Sequence, residues 1–209
     1  MIRLFRARWS TNCERVSLAL GHKGLEAESV LIEYSDRSPV IEVSGQGLVP
    51  VIVDGGEVVA DSQLILRHLE ERHPGPPLFP ADRAEAARVD LFCEWFDRVW
   101  KAAPNGIEEQ LEGSAPDKAV IAVHAAMMER HSSLFEGLLA DRPFLAGGEP
   151  GAADFVAFPF LKYAAGRDPA DDELFHRVLN EHQSAGGRPN LSAWIERVRA
   201  LPRAYPEDG

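Results

Sequence analysis

Ser10 and Cys13 are the first residues along the chain whose types and spacing could do chemistry. They follow a short apolar run, and the polar cluster Ser10-Thr11-Asn12 is typical of a helix N-cap. At a helix start, a serine hydroxyl could donate a hydrogen bond to a thiolate, and the helix dipole would stabilise that anion further. Cys13 could have a lowered pKa or could simply pack in the interior, and without a cysteine at residue 10 dithiol redox chemistry is not available. Taken alone, Ser10 is more often a helix cap than a catalytic group.

Pro50 and the pair Asp61-Ser62 are two further places where a small molecule could bind. A cis peptide bond at Pro50 would aim the backbone groups of Val49 outward, where a ligand amide could pair with them like an added strand. The base rate for X–Pro bonds instead favours a trans proline at a strand start. Asp61-Ser62 stands at a predicted helix start, whose unsatisfied N–H groups attract anions. Ser62 could hold a ligand carboxylate and Asp61 a ligand ammonium, although Asp and Ser are also the commonest plain helix caps.

The elements that must position these residues alternate strand and helix up to residue 73 and are helical beyond it. Apolar runs and turn residues predict four strands, at 2–7, 28–33, 49–53 and 57–60. A crossover helix after Ser10 predicts that the first two strands are parallel. A hairpin turn is expected at 54–56, and residues 35–47 are expected to be irregular or weakly helical.

Four prolines between 74 and 80 predict a linker. Beyond it, apolar spacing predicts five helices, the third buried all round, at 82–103, 117–140, 152–164, 171–181 and 190–200.

Composition excludes several classes of function. The 209 residues include 22 lysines and arginines against 33 aspartates and glutamates, a formal charge of −11. There is no basic run, so nucleic acid and anionic membrane surfaces are not expected partners, and no apolar stretch approaches the roughly 20 residues that span a bilayer. Cys13 and Cys93 make no disulfide framework or zinc spacing, and the seven histidines are scattered, so no metal is expected. The N-terminus does not have the apolar core of a signal peptide, and we expect a cytoplasmic protein.

The order of these motifs resembles that of the glutathione S-transferase superfamily over essentially the whole chain. The most specific stretch runs from GLVPV at 47–51 to VADSQLILRHL at 59–69. In the helical half, FLAG at 144–147 followed by AADF at 152–155 resembles the family's buried-helix motif. PNLSAW at 189–194 resembles its usual last helix. The resemblance is to the bacterial-type cytosolic members that use a serine.

The resemblance implies a fold class with two domains. Residues 1–73 would form an α/β thioredoxin-like domain that binds glutathione. Residues 74–82 would be the linker, and residues 83–209 an all-α helical bundle. Family analogy also implies a homodimer.

The resemblance further assigns roles to the candidate residues. Ser10 matches the serine that activates the thiol of glutathione. Val49 would pair with the cysteinyl backbone of glutathione, and Pro50 would be the family's cis-proline. Asp61 and Ser62 would bind the γ-glutamyl end, where the family often has a longer Glu or Gln in place of the aspartate.

Several positions depart from the family pattern. Leu48 stands where the family often has a polar or basic residue for the glycyl carboxylate, and Gln46 is the candidate substitute. The change could weaken glutathione binding or indicate a different thiol. Trp9 is bulky beside the thiol site. Asp154 matches the family's helix-capping aspartate, but Gly151 replaces its Ser or Thr partner, so half of the capping box is expected.

An apolar electrophile is expected to lie between Ser10 and the first long helix of the second domain. The candidate lining residues are aromatic, because such pockets suit an apolar ligand, and they are Trp9, Phe92, Trp95 and Phe96. An aromatic stripe at helical spacing is more often core or dimer contact, and that interpretation stays open.

The resemblance implies a detoxifying glutathione transferase, in which the thiolate of glutathione attacks an electrophilic carbon of a small molecule. Two alternatives are kept, because one fold supports many functions. The first is a maleylacetoacetate-isomerase-like or dehalogenase-like enzyme that regenerates glutathione. The second is a non-catalytic binding protein that kept the fold.

Overall fold

A mixed four-stranded sheet is the frame of the first part of the chain. In the computed structural model, which describes residues 1–205, the strands are β1 Ile2–Ala7, β2 Ala27–Ile32, β3 Val51–Asp54 and β4 Glu57–Ala60. Their order is β2-β1-β3-β4, with β1 and β2 parallel and the other neighbours antiparallel. The predicted strands and the parallel first pair are confirmed, with ends shifted by at most two residues.

Three helices accompany the sheet, α1 Thr11–His22, α2 Ser38–Ser44 and α3 Ser62–Arg72. Helix α2 lies in the stretch expected to be irregular or weakly helical. Pro39 in its first turn favours the helix start, and Gly45, with φ of 74°, provides the left-handed residue that ends it. Its Val40 is completely buried in one cluster with residues of β1, β2 and β3: Phe5, Ala7, Ile32 and Val51. Helices α1 and α3 pack against each other.

Six α-helices follow among residues 83–205, and none found in residues 1–205 is long and apolar enough to cross a membrane. They are α4 Arg83–Trp95, α5 Ala102–Glu112, α6 Lys118–Leu138, α7 Ala152–Leu161, α8 Leu174–His182 and α9 Pro189–Arg199. Every residue of α7 is buried, as its apolar sequence predicted.

The prediction of one helix ending near residue 103 is wrong, because a wider turn separates α4 from α5. The Lys101 N–H donates to the carbonyl of Phe96, five residues earlier, at 3.0 Å. An uninterrupted α-helix would pair the Trp100 carbonyl with residue 104, but Pro104 has no N–H and its ring would clash there. The wider turn moves the chain past this obstacle, and helix continues to Glu112.

Residues 74–82 form no helix or strand, yet they are fixed against the elements before them. The Lys23 ammonium lies 2.9 Å from the Glu70 carboxylate and donates to the carbonyl of His73 at 3.0 Å. The same carboxylate accepts the Leu78 N–H at 3.0 Å, and the Leu78 side chain is buried. The proline-rich stretch therefore follows a defined path.

The chain divides into two compact units, residues 1–86 with 201–205, and residues 87–200. The segment 201–205 completes the first unit. The Ala204 N–H donates to the Ser17 carbonyl at 3.1 Å, and the Arg203 guanidinium lies 3.4 Å from the Glu14 carboxylate. The first unit is thus built from two separate stretches of sequence.

Candidate functional site

The segments that the sequence singled out meet at one end of the sheet. Phe5 of β1 pairs with Val51 of β3, and Val51 pairs with Ala60 of β4, which makes one row across three strands. Strand β1 runs on from this row toward the serine, β3 starts here after its proline, and β4 ends here before the aspartate–serine pair. Three motifs that are far apart in sequence therefore share one edge.

Ser10 caps α1. Its backbone is extended, with φ −65° and ψ 110°, and its hydroxyl oxygen accepts the Cys13 N–H at 3.3 Å. This bond uses the oxygen and leaves the hydroxyl proton to donate to another group. The Cys13 side chain is completely buried. Trp9, directly before the cap, has a left-handed φ of 60°, which a bulky residue rarely adopts.

The Val49–Pro50 peptide bond is cis, as the family resemblance implied. The turn before it is held by Gln46, whose amide nitrogen donates to the Leu48 carbonyl at 2.9 Å and whose amide oxygen accepts the Leu48 N–H. Both ends of this amide are therefore engaged within the turn. The Leu48 side chain is 72% exposed, so an apolar group is presented to solvent where the family often has a polar one.

Asp61 caps α3 from an exposed position. Its φ is 77°, and Oδ1 accepts the N–H groups of Gln63 and Leu64 at 2.9 and 3.2 Å. Because both bonds end on Oδ1, Oδ2 is able to accept from a ligand. Ser62, the first residue of the helix, is only 4% exposed.

Arg15 is a residue of this site that the sequence analysis missed. It is 1% exposed, and its Nη1 donates to the Ser62 hydroxyl oxygen at 3.2 Å, which joins α1 to α3. One feature of the sequence could have identified it. Arg15 lies three and four positions before Leu18 and Ala19, so it is a charged residue on a helix face that is otherwise expected to be buried. Arginine is rarely buried without a partner.

The aromatic residues expected to line a substrate pocket are distributed over both units. Trp9 belongs to the first and is partly exposed. Phe96 is completely buried in the second, where its ring stacks on Trp100 with centroids 4.4 Å apart. Phe92 and Trp95 are partly exposed, with their ring centroids 5.9 Å apart.

Two carboxylates hold histidines that the sequence analysis treated as scattered. Nε2 of His68 and of His73 lie 3.0 and 2.6 Å from the Asp54 carboxylate, at the hairpin end of β3. Burial raises the pKa of Asp54, but the two imidazoles outweigh it and hold that pKa below its ordinary value. In the second unit, Nδ1 of His176 lies 2.9 Å from Asp171, and both side chains are buried. Over the described residues, no group of three or more His, Cys, Asp or Glu side chains is arranged to hold a metal ion.

Asp154 joins three segments of the second unit. Its completely buried carboxylate accepts the N–H groups of Leu145 at 2.9 Å and Gly151 at 3.1 Å, and the indole N–H of Trp194 at 2.7 Å. Gly151 has no side chain to return the bond, so half of the capping box is present, as expected. Burial raises the pKa of Asp154 to about 6, against the lowering effect of its donors. The contacts are those of a structural residue.

Both halves of the chain match models of known families. The model described as "Glutathione S-transferase, N-terminal domain" matches residues 4–77, and "Glutathione S-transferase, C-terminal domain" matches residues 94–197.

The chain is also similar to individual proteins of this family and fold. A zeta class glutathione S-transferase of Euphorbia esula is 42% identical over 204 residues, covering 92% of this chain and 86% of its own. FtsZ-localized protein A of Caulobacter vibrioides is 32% identical over 159 residues, 70% of each chain. The crystal structure of a glutathione S-transferase from Rhodospirillum rubrum is similar with a TM-score of 0.74 at 26% identity, covering all of this chain and 90% of its own.

Proposed function

Because this chain belongs to the glutathione S-transferase family, we propose that it conjugates the thiol of glutathione to electrophilic small molecules, with Ser10 as the thiol-activating residue. The observation that carries the proposal is the hydrogen bonding of Ser10. Its oxygen is occupied by the Cys13 N–H, so its proton is left to donate to a sulfur anion at the start of α1.

The reaction needs a thiolate. A free thiol, with a pKa of about 8.5, is only a few per cent ionised at neutral pH. A hydrogen bond from Ser10 and the positive end of the α1 dipole would both favour the anion, and the thiol proton would leave to solvent. The sulfur lone pair then forms the bond to the electrophilic carbon, and the displaced electron pair leaves with the leaving group or moves along a conjugated system.

Glutathione would be held along the shared edge of the sheet. The backbone of Val49 would pair with the cysteinyl amide, Oδ2 of Asp61 would accept from the γ-glutamyl ammonium, and Ser62 would donate to the γ-glutamyl carboxylate. The convergence of these segments on one sheet row supports this arrangement. On family grounds we also propose a cytoplasmic homodimer.

A non-catalytic binding role is the second candidate function. The Gln46 amide is engaged with the Leu48 backbone and the Leu48 side chain is exposed, so this turn offers the glycyl carboxylate no side-chain amide. A relative at 32% identity has a name that describes localisation with FtsZ, not a reaction. Weak or undetectable glutathione binding would favour this role.

The test is a conjugation assay with glutathione and a model electrophile, comparing three proteins. Ser10→Thr keeps both the cap and a hydroxyl, whereas Ser10→Asp keeps the cap but has no proton to donate at neutral pH. We expect the threonine variant to retain activity and the aspartate variant to lose about a hundredfold, within the range of a lost charge-stabilising donor. Equal activity of Ser10→Asp and wild type would refute the role of Ser10, and regeneration of thiol during turnover would indicate isomerisation instead of conjugation.

A further inference from the structure

Glu14 places a negative charge in the first turn of α1, one turn beyond Ser10. Its N–H donates to the Ser10 carbonyl at 3.0 Å, and residues four apart on a helix are neighbours on one face. A carboxylate in a first turn stabilises the helix, because it is attracted to the positive end of the helix dipole. A thiolate beside Ser10 depends on that same positive end. The Glu14 charge therefore opposes the ionisation that the proposed reaction needs.

Arg203 supplies the opposite charge from the far end of the chain. Its Nη2 lies 3.4 Å from Oε1 of Glu14, and the two side chains are only 9% and 11% exposed. Because little water reaches the pair, its charges are screened far less than charges on the surface. A guanidinium at this place also offsets most of the effect that the carboxylate would have on a third charge nearby.

The C-terminal segment that carries Arg203 lies along the same face of α1. Ser10, Glu14 and Ser17 are spaced by four and three positions, so they share one face of the helix. Arg203 contacts the second of them, and the Ala204 N–H donates to the carbonyl of the third at 3.1 Å. The segment thus covers the stripe of α1 that begins at the proposed thiol site.

We infer that Arg203 is a positioning residue for the proposed reaction, which acts through Glu14 to keep the pKa of the bound glutathione thiol low. The inference rests on the proposed function, in which Ser10 donates to the thiolate. It adds a second determinant of thiol ionisation, which the C-terminal segment provides. A purely structural arginine, which only fastens this segment to α1, would affect stability and leave the pKa of the thiol unchanged.

The other charged side chains near the start of α1 are the same in every variant compared below, so differences between the variants report on the Glu14–Arg203 pair. They are Arg6 and Arg8 at and just beyond the end of β1, Arg15 in α1 and Asp61 before α3.

The experiment measures the pKa of the thiol of glutathione bound to the full chain, from the ultraviolet absorbance of the thiolate as pH is raised. Arg203→Met should raise that pKa by about 0.5 to 1, as expected for one partly screened charge at roughly 10 Å. Glu14→Gln should lower it, because the guanidinium then acts without the Glu14 charge. The double variant Glu14→Gln/Arg203→Met carries neither charge and should return the pKa to within about 0.3 of the wild-type value. A loss of structure would not produce two opposite changes that cancel.

Tyr205→Leu is the control for the segment itself. The Arg6 Cζ lies 4.0 Å from the centroid of the Tyr205 ring, so the substitution loosens the segment without changing any charge. It should lower the melting temperature and leave the pKa of the bound thiol unchanged. If Arg203→Met does not fold, Glu14→Gln carries the test, and an unchanged pKa in that variant contradicts the inference.

The outcomes separate the inference from the function beneath it. Arg203→Met with the wild-type thiol pKa, or a double variant shifted as far as Arg203→Met, overturns the role of Arg203 and leaves the proposed function intact. Wild type that does not bind glutathione, or on which glutathione keeps the pKa of its free thiol, overturns the proposed function and this inference with it.

Discussion

At the start of α3, the exposed Asp61 accepts two backbone N–H groups; at the start of α7, the buried Asp154 accepts two as well, and the indole N–H of Trp194 in addition. Asp61 uses one oxygen for its cap, whereas Asp154 uses both for donors from three segments. The same side chain thus leaves a free acceptor in the first unit and ties elements together in the second. Burial, more than residue type, separates a cap that can meet a ligand from one that cannot.

Removal of the buried cap is expected to have the largest effect on stability. Asp154→Ala would leave three buried donors without an acceptor, and we expect it to lower the free energy of unfolding by about 3–5 kcal/mol. Urea unfolding of the full chain at pH 7, followed by circular dichroism, measures the loss. Trp194→Phe, which removes one donor and keeps the carboxylate, is the control, and a larger loss for Trp194→Phe than for Asp154→Ala would contradict this account.

The pH dependence of stability tests the same difference between the buried Asp154 and the exposed Asp61. Burial raises the pKa of Asp154 to about 6 in the folded chain, whereas the ordinary pKa of an aspartate is 3.8. Between these values the folded state binds a proton that the unfolded state has released. The stabilisation from this raised pKa is therefore complete below the lower value and is lost as pH rises through the higher one.

Asp154→Asn does not titrate and serves as the reference for this effect. Relative to it, wild type should lose about 3 kcal/mol of stability between pH 4 and pH 7, from roughly two pKa units. Urea midpoints of both proteins across that range give the difference. If the free energy of unfolding of wild type instead rises relative to that of the variant as pH increases, the three donors and not burial determine the pKa of Asp154.

The exposed cap should show the smallest effect on stability and a separate effect on binding. Asp61→Ala should lower the free energy of unfolding by about 1 kcal/mol, the usual loss for a helix cap, and Asp61→Asn by only a few tenths. Thermal unfolding of both variants measures this. Because Asn removes the charge proposed to hold the γ-glutamyl ammonium, calorimetry should find weaker glutathione binding at nearly unchanged stability. Unchanged binding by Asp61→Asn would remove Asp61 from the proposed site.

Local signals in the sequence were enough for the strands and the caps. Short apolar runs predicted β1 and β4, and Gly55 and Gly56, both with positive φ in the structure, indicated the hairpin turn between β3 and β4. Asp61 was recognisable as a cap because its donors lie two and three residues away. The family resemblance, and not the base rate, gave the cis geometry at Pro50.

Contacts between distant residues could not be predicted in this way. Arg15 and Ser62 are 47 positions apart, so their hydrogen bond depends on how α1 and α3 pack. The engagement of Gln46 with Leu48 is local, but a single sequence does not say whether an amide faces its own backbone or a ligand. To predict the wider turn before α5, one would have to weigh the helix-breaking effect of Pro104 against an otherwise continuous apolar spacing.

The segment 201–205 has a consequence for the order in which the protein is made. Arg203 and Glu14 are 189 positions apart, and a side-chain carbon on Gly21 would lie 2.3 Å from the Pro202 carbonyl oxygen, so α1 presents a surface shaped for this segment. On the ribosome, α1 emerges long before its cover does. The nascent chain must therefore carry an uncovered face of its first unit while all of the second unit is being synthesised. Co-translational folding can assemble the sheet early, but it closes the first unit only after residues 201–205 have left the exit tunnel.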